Sequence, residues 1–297
     1  MNSVALKAYA KINLGLTVMG RREDGFHELR TVYQTISLAD HLEMSLSSGS
    51  PAVSLEASGI KVPDGRGNLA VRSAEAVLRE LKLKRKVSLR LRKRIPTGSG
   101  LGGASRDAAA VIQGLLFLAG RSLPSDRLLH LAASLGSDVP FFLWGGRALG
   151  VGRGEEVYSL PEEPRRSCVV VFPGTSVSTA EAYAQLRLPL LTTLRTNHNI
   201  ELFCGKTNEA GWNQAGNDFE PVVFSALPHL AQVKRILVRA GAEIASLSGS
   251  GSAVFGIFRD TKQAREAAQR LRRPGYDVYL ARTVSRREFA AELAGAV

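Results

Sequence analysis

A chain of 297 residues with 44% hydrophobic and 22% charged side chains holds enough apolar material for one large or two medium cores, which excludes a disordered or fibrous protein. Its 39 lysines and arginines against 27 acids give a formal charge of +12, so nucleic acid, an anionic membrane or anionic small molecules are the partner classes that fit. Lysines interrupt the apolar N-terminal stretch, no apolar run could span a bilayer, and Cys168 and Cys204 lie far apart without CxxC neighbours. The expectation is a protein of the reducing cytoplasm with neither a signal peptide, a disulfide framework nor a structural zinc.

Along the chain, residues 4–19 read as extended and end at the turn signal GRREDGFH (20–27), after which residues 33–46 resume strand character. NLAVRSAEAVLREL (68–81) sets Leu69, Ala76, Val77 and Leu81 on one helical face. In the basic segment 82–94, Val87, Leu89 and Leu91 alternate with Ser88, Arg90 and Arg92, which predicts a strand with one apolar and one cationic face. A helix is predicted over 103–119 and another over 125–136, with Ser125 as N-cap and a terminal glycine. Strands are expected within 139–152, a Pro-rich charged linker at 160–166, and a buried strand at CVVVFPG (168–174). Helices broken at Pro228 cover 218–240, a second glycine-rich turn enters a strand within 246–258, and a helix covers 261–273. Strands and helices in mixed order predict an α+β protein in two halves, 1–160 and 161–297.

The chemistry concentrates in PTGSGLGGASRDAAA (96–110), a loop nearly free of side chains that opens directly into a helix. N–H groups at a helix start lack partners and carry positive potential, so glycines there let a phosphate chain approach the bare backbone. Tight turns and close packing also need glycine, so the loop alone is equally open to a structural reading. A Walker A loop is excluded because no lysine follows the glycines, and a dinucleotide-binding fold is excluded because the loop does not follow the first strand.

The segments AYAKINLGL (8–16), PTGSGLGGASRDAA (96–109) and SGSGSAVF (248–255) resemble, in order, the three signature segments of the galactokinase, homoserine kinase, mevalonate kinase and phosphomevalonate kinase family. GRREDGFHEL (20–29), NLAVRSA (68–74) and GSDVPFFL (136–143) resemble those of its members that act on a cytidine-diphosphate-linked polyol. The resemblance implies a two-domain GHMP-kinase fold, with a ribosomal-protein-like N-terminal domain and a ferredoxin-like C-terminal domain. It implies phosphorylation of a hydroxyl of that polyol on the methylerythritol phosphate route to isoprenoids. ATP is the implied phosphoryl donor, with magnesium as the accompanying ion. Two polyanionic substrates also account for the basic charge.

Carried over residue by residue, the resemblance puts Lys11 and Asp138 in the catalytic pair; the aspartate takes a hydroxyl proton and the lysine keeps it ionised. ATP is assigned to Asn68 and Lys93 near adenine and ribose and to Pro96, Thr97, Gly98, Ser99, Gly100, Leu101, Gly102, Gly103, Ala104 and Ser105. The cytidine substrate is assigned to Asn13, Phe26, His27, Thr179 and Tyr183, with aromatic faces for stacking and a histidine for the base edge. The third glycine motif is Ser248, Gly249, Ser250 and Gly251. Taken singly, Asp138 in GSDVP also suits a turn cap, Lys11 a strand-edge charge and Tyr183 helix packing.

The chain departs from the family where GLGGASR (100–106) replaces the usual GLGGGSS. Alanine cannot ligate magnesium where relatives use serine, so the metal ligands stay open, and Arg106 is expected either to face the phosphates or to point into solvent. The alternatives are a homoserine or mevalonate kinase, which has no use for GFH (25–27), and a nucleic-acid-binding module. The latter would interleave aromatics on the cationic strand, and KVSLRLRKRI (86–95) has none. Neither a nucleic-acid nor a membrane partner is therefore expected.

Overall fold

The computed structural model describes residues 3–186 and 216–294; Cys204 and His198 lie outside them. The first half is built on β1 (Ser3–Arg21), β2 (His27–Ser48), β3 (Ala52–Gly59), β4 (Arg85–Lys93), β5 (Arg147–Val151) and β6 (Glu156–Ser159). These form one sheet in the order β3-β4-β2-β5-β6, with β1 paired antiparallel along β2 from Ser3 opposite Ser45 to Arg21 opposite His27. Only β3 runs parallel to its neighbour, β4. Helices α1 (Leu69–Glu80), α2 (Gly103–Leu118) and α3 (Ser125–Leu135) accompany it. In the second half, β7 (Ser167–Phe172), β8 (Ile244–Leu247), β9 (Val254–Phe258) and β10 (Asp277–Arg282) make an antiparallel sheet in the order β10-β7-β9-β8. With it go α4 (Thr179–Gln185), α5 (Glu220–Ala226), α6 (Pro228–Arg239), α7 (Thr261–Leu271) and α8 (Arg286–Ala294).

The alternation read in β4 is real: Val87, Leu89 and Leu91 are buried while Ser88, Arg90 and Arg92 face out. Their apolar face meets Val77 of α1 and Val111 and Ile112 of α2 in the first core. In β1 the alternation holds only to Ala8, after which every residue to Leu16 is buried. That stretch is covered on both faces, because Ile12 and Leu14, with Ile36 of β2, pack against Val170, Phe255 and Ile257 of the second sheet. The other face of that sheet, through Val169, Val171 and Val254, carries α6 and α7. The layers thus run helix, sheet, sheet, helix, and functional groups of β1 lie at the seam.

Several expected details differ. Pro124, not Ser125, occupies the N-cap position of α3 and no side chain caps it. Residues 139–152 are not strand throughout: Phe141–Leu143 form a 3-10 turn that buries both phenylalanines, and Gly145 and Gly146, at φ 63° and 74°, turn the chain before β5 starts. The last helix does not stay with the second half; Phe289 of α8 returns to the first and packs with Tyr9 and Ala39. No helix among the described residues is long and apolar enough to cross a membrane.

Candidate active site

Between the two halves opens a cleft of about 990 Å³, lined by β1, the 22–27 turn, the glycine loop, Asp138, α4 and the turn after β8. Its floor is set by β1. A β-bulge between Tyr9 and Lys11 breaks the pairing register with β2, and the Lys11 N–H donates instead to Leu101 O of the glycine loop at 3.0 Å. The Lys11 side chain is 4% exposed, and its Nζ lies 3.3 Å from Asp138 Oδ2 and donates to Asn13 Oδ1 at 2.6 Å. Asn13 Nδ2 donates to Thr31 Oγ1, and Thr31 Oγ1 to Gly15 O, both at 2.7 Å. The lysine is therefore held from behind by a chain of satisfied hydrogen bonds, as a buried cation requires.

Asp138 is braced on its other oxygen. Tyr33 Oη donates to Oδ1 at 3.0 Å, and burial, reinforced by the negative charge of Asp138, holds the phenol well above its ordinary pKa, so it stays a donor. The carboxylate remains 29% exposed on the cleft side, where its free lone pairs face solvent.

The glycine loop closes one wall. Gly102 is the N-cap of α2 with φ 71°, and a Cβ there would stand 2.8 Å from the Phe142 ring and 3.1 Å from Lys11 Cγ. The residue is glycine because the loop lies against Lys11 and Phe142, as well as for its left-handed backbone. Two contacts stitch the loop to the third glycine motif: Ser248 Oγ donates to Gly100 O at 2.9 Å and Ala253 N to Ser99 O at 3.0 Å. Ser250 Oγ shares a 2.8 Å hydrogen bond with Thr179 Oγ1 at the start of α4.

At the far end, the rings of His27 and Tyr183 stack at 4.4 Å with planes 13° apart, while Phe26 is exposed under the Arg153 guanidinium at 4.7 Å. Burial and the nearby Arg21 lower the His27 pKa, so the ring is neutral near pH 7, with one donor and one acceptor nitrogen. Burial, with Asp138, pushes the Tyr183 phenol up to about 12.

Of the residues expected here, the structure brings Lys11, Asn13, Phe26, His27, Gly100, Gly102, Ser105, Asp138, Thr179, Tyr183, Gly249 and Ser250 onto the cleft wall. Asn68 and Lys93 are not on it. Asn68 caps α1, accepting from Ala70 N at 2.9 Å and donating to Pro63 O at 3.2 Å. Lys93 is 3% exposed and is consumed by Asp40 and Asp107 at 2.5 and 2.7 Å. Pro96, Ser99, Leu101, Gly103, Ser248 and Gly251 are buried behind the wall, whereas Thr97, Gly98 and Ala104 are exposed.

Arg106 faces neither phosphate nor solvent. It is fully buried, donating to Gln113 Oε1 at 2.9 Å, Phe142 O at 3.1 Å and Lys7 O at 3.3 Å, with its guanidinium 4.5 Å over the Phe289 ring. Burial lowers its pKa to about 10. Sequence reasoning missed Tyr33, Thr31, Arg21, Ser137 and Arg153 on the wall; the β-branched and aromatic run TVYQTI around Tyr33 reads as any strand.

Comparison with known proteins agrees with this geometry. The profile described as GHMP kinases N terminal domain matches residues 68–146, and that described as GHMP kinases C terminal matches residues 191–277. The chain is 48% identical over 291 residues to a 4-diphosphocytidyl-2-C-methyl-D-erythritol kinase of Solibacter usitatus, covering 96% of this chain and 90% of that protein. It is 38% identical to the protein of the same name from Geobacter sulfurreducens, over 96% of this chain and 100% of that one. A crystal structure of 4-(cytidine 5'-diphospho)-2C-methyl-D-erythritol kinase superposes with a TM-score of 0.76 at 36% identity, covering 94% of this chain and 98% of that one. A homoserine kinase from Cytophaga hutchinsonii superposes with a TM-score of 0.73 over 95% of each chain, but at 21% identity it speaks for the fold alone. The chain belongs to the GHMP kinases, and within them to the 4-diphosphocytidyl-2-C-methyl-D-erythritol kinase family.

Proposed function

We propose that the cleft transfers the terminal phosphoryl group of ATP to the 2-hydroxyl of 4-diphosphocytidyl-2-C-methyl-D-erythritol, on the methylerythritol phosphate route to isoprenoids. The observation that carries this reading is the Lys11–Asp138 pair, 3.3 Å apart, between a glycine loop that heads a helix and an aromatic-histidine wall. Asp138, braced by Tyr33 and Lys11, accepts the proton of the attacking hydroxyl on its open side. The hydroxyl oxygen bonds to the γ-phosphorus as the bond to the β–γ bridging oxygen breaks, and ADP departs with that electron pair. Lys11 offsets charge on the transferring group, and the N–H groups of Ala104 and Ser105, which have no carbonyl one turn back in α2, meet the phosphates.

Neutral His27 reads the polar edge of the cytosine, and Phe26 and Tyr183 supply stacking faces. Asn13 serves the same cytidine end, and Thr179 adds a contact from the second half, held in place by Ser250. Asn68 and Lys93 then support the nucleotide through the backbone they anchor.

Magnesium, where bound, would supply positive charge to neutralise the phosphates. Among the described residues no three acidic, histidine or cysteine side chains are grouped to hold a metal, and the exposed Ala104 has no ligating atom. No step above depends on a metal.

The test is ATP consumption by the purified protein against 4-diphosphocytidyl-2-C-methyl-D-erythritol, homoserine and mevalonate. Turnover with the cytidine substrate at least about a hundredfold above the other two is expected, since a site built on polar base contacts rejects substrates lacking them. Preference for homoserine or mevalonate would refute the assignment.

A further inference from the structure

Directly beneath the glycine loop lies a group of charges that takes no part in the chemical step above. Lys93, the last residue of β4, donates from Nζ to Asp40 Oδ2 at 2.5 Å and to Asp107 Oδ2 at 2.7 Å. All three side chains are at most 4% exposed. Asp40 is saturated, because its Oδ1 accepts the N–H groups of Arg94 at 2.6 Å and Ile95 at 2.9 Å. Asp107 is not, for its Oδ1 is buried without a hydrogen-bond partner among the described residues.

Two carboxylates facing one ammonium away from water leave one negative charge in excess. An ionised oxygen with no donor is costly to bury, and a carboxylic acid in that position avoids the cost by keeping its proton. Asp40 has three donors and Asp107 only one, so Asp107 is the carboxyl placed to hold that proton. Burial, with Asp40 adding to it and Lys93 opposing it, pushes the Asp107 pKa up to about 7.

The placement connects this proton to the loop. Asp40 pins the N–H groups of Arg94 and Ile95, which lead into Pro96 at the loop's entrance. Asp107 lies in the opening turns of α2, the loop's exit, and Lys93 Nζ is 2.9 Å from where a Cβ on Gly103 would stand. The charged groups acting on Asp107 are Lys93 from β4, Asp40 from β2 and, from its own helix, Arg106. Tyr279 of β10 and Arg94 are the further polar groups within electrostatic reach of this region.

We infer that Lys93, Asp40 and Asp107 are positioning residues that form the floor of the phosphate loop, and that they hold one exchangeable proton whose binding tightens when anionic phosphates occupy the loop above. The inference rests on reading the loop as the nucleotide phosphate site. With Asp107 protonated the triad is neutral; with it ionised the triad carries −1 under the phosphates and repels them. By linkage, nucleotide binding near pH 7 draws a proton onto Asp107, and nucleotide affinity falls as pH rises through that range.

The experiment is calorimetric titration of the full chain with ADP at pH 6 to 8.5, in buffers of different ionisation enthalpy, for wild type and Asp107→Asn. Asn keeps the oxygen facing Lys93 and imitates the protonated state at every pH. Wild type should take up a fraction of a proton near pH 7, and its Kd should rise on the order of threefold to tenfold from pH 6 to 8.5. Asp107→Asn should lose that uptake and bind at pH 8.5 as wild type does at pH 6. If the variant does not fold, wild type alone decides by comparing ADP with adenosine. Uptake with ADP only supports the floor, because adenosine brings no charge over the triad; equal uptake with both overturns it. ADP binding with the same proton uptake and pH dependence in both proteins overturns the triad's role and leaves the kinase reading intact. Absence of ADP binding by wild type overturns the loop reading and this inference together.

Discussion

Replacing Asp138 by Asn removes the proposed base while changing the side-chain volume little, but the structure shows that the exchange is not silent. Asp138 Oδ1 accepts from Tyr33 at 3.0 Å and Oδ2 faces Lys11 Nζ at 3.3 Å. An amide can keep one of these contacts; its NH₂ group then points at a buried ammonium that still has Asn13 Oδ1 at 2.6 Å. Loss of a positioned general base costs about 10²- to 10⁴-fold in turnover. The weakened hold on Lys11 adds about 1–3 kcal/mol of lost stability, the range for a buried donor left short of a partner. At this chain length that corresponds to a fall in Tm of roughly 2–5 °C. Steady-state ADP release at saturating cytidine substrate measures the first effect, and calorimetry measures the second together with ATP affinity. The expected pattern is kcat down at least about 10²-fold with ATP Kd within about threefold of wild type. A kcat within about threefold of wild type would remove Asp138 from the chemistry. An equal loss of ATP binding would mean that the carboxylate serves the nucleotide site instead.

His27→Ala should raise KM for the cytidine substrate about threefold to tenfold while leaving KM for ATP unchanged, from loss of one neutral hydrogen bond of roughly 0.5–1.5 kcal/mol. If both constants shift together in steady-state kinetics, His27 supports the turn rather than the base. Gly102→Ala places a Cβ 2.8 Å from Phe142 and 3.1 Å from Lys11 Cγ on a left-handed backbone. It should lower stability by about 1–3 kcal/mol in thermal melts and reduce kcat through Lys11 as well as weaken ATP binding. A loss confined to ATP affinity would show that Lys11 is undisturbed. Arg106→Ala removes the donor to Lys7 O, Phe142 O and Gln113. Denaturant unfolding should show a loss of about 2–4 kcal/mol from the stranded acceptors, and a Tm equal to wild type would contradict that account.

What the residues reveal within a window of a dozen neighbours was legible without coordinates. The period-two burial of Val87, Leu89 and Leu91 is a property of β4 itself, and so is the apolar stripe of α1, where Ala76 and Val77 join the core and Leu69 and Leu81 pack against it. The glycine loop running into α2 and the order of the motifs likewise lie within such windows, and from them the α+β class and the kinase family could be read. Contacts made across the chain could not. Lys11 and Asp138 pair only because a bulge in β1 turns Lys11 toward the glycine loop and the turn after α3 returns to it. Arg106, expected at phosphate or solvent, became a buried clamp because Phe289 of the last helix returns across the fold to cover it. Tyr33, read only as the start of a strand, acts as a brace for Asp138, and Lys93, assigned to ATP, is enclosed by two carboxylates. The pattern of apolar and charged residues sets how each segment folds and which face it buries. Which charged group a buried donor meets depends on the segment that covers it, and that is decided only when distant parts of the chain pack together.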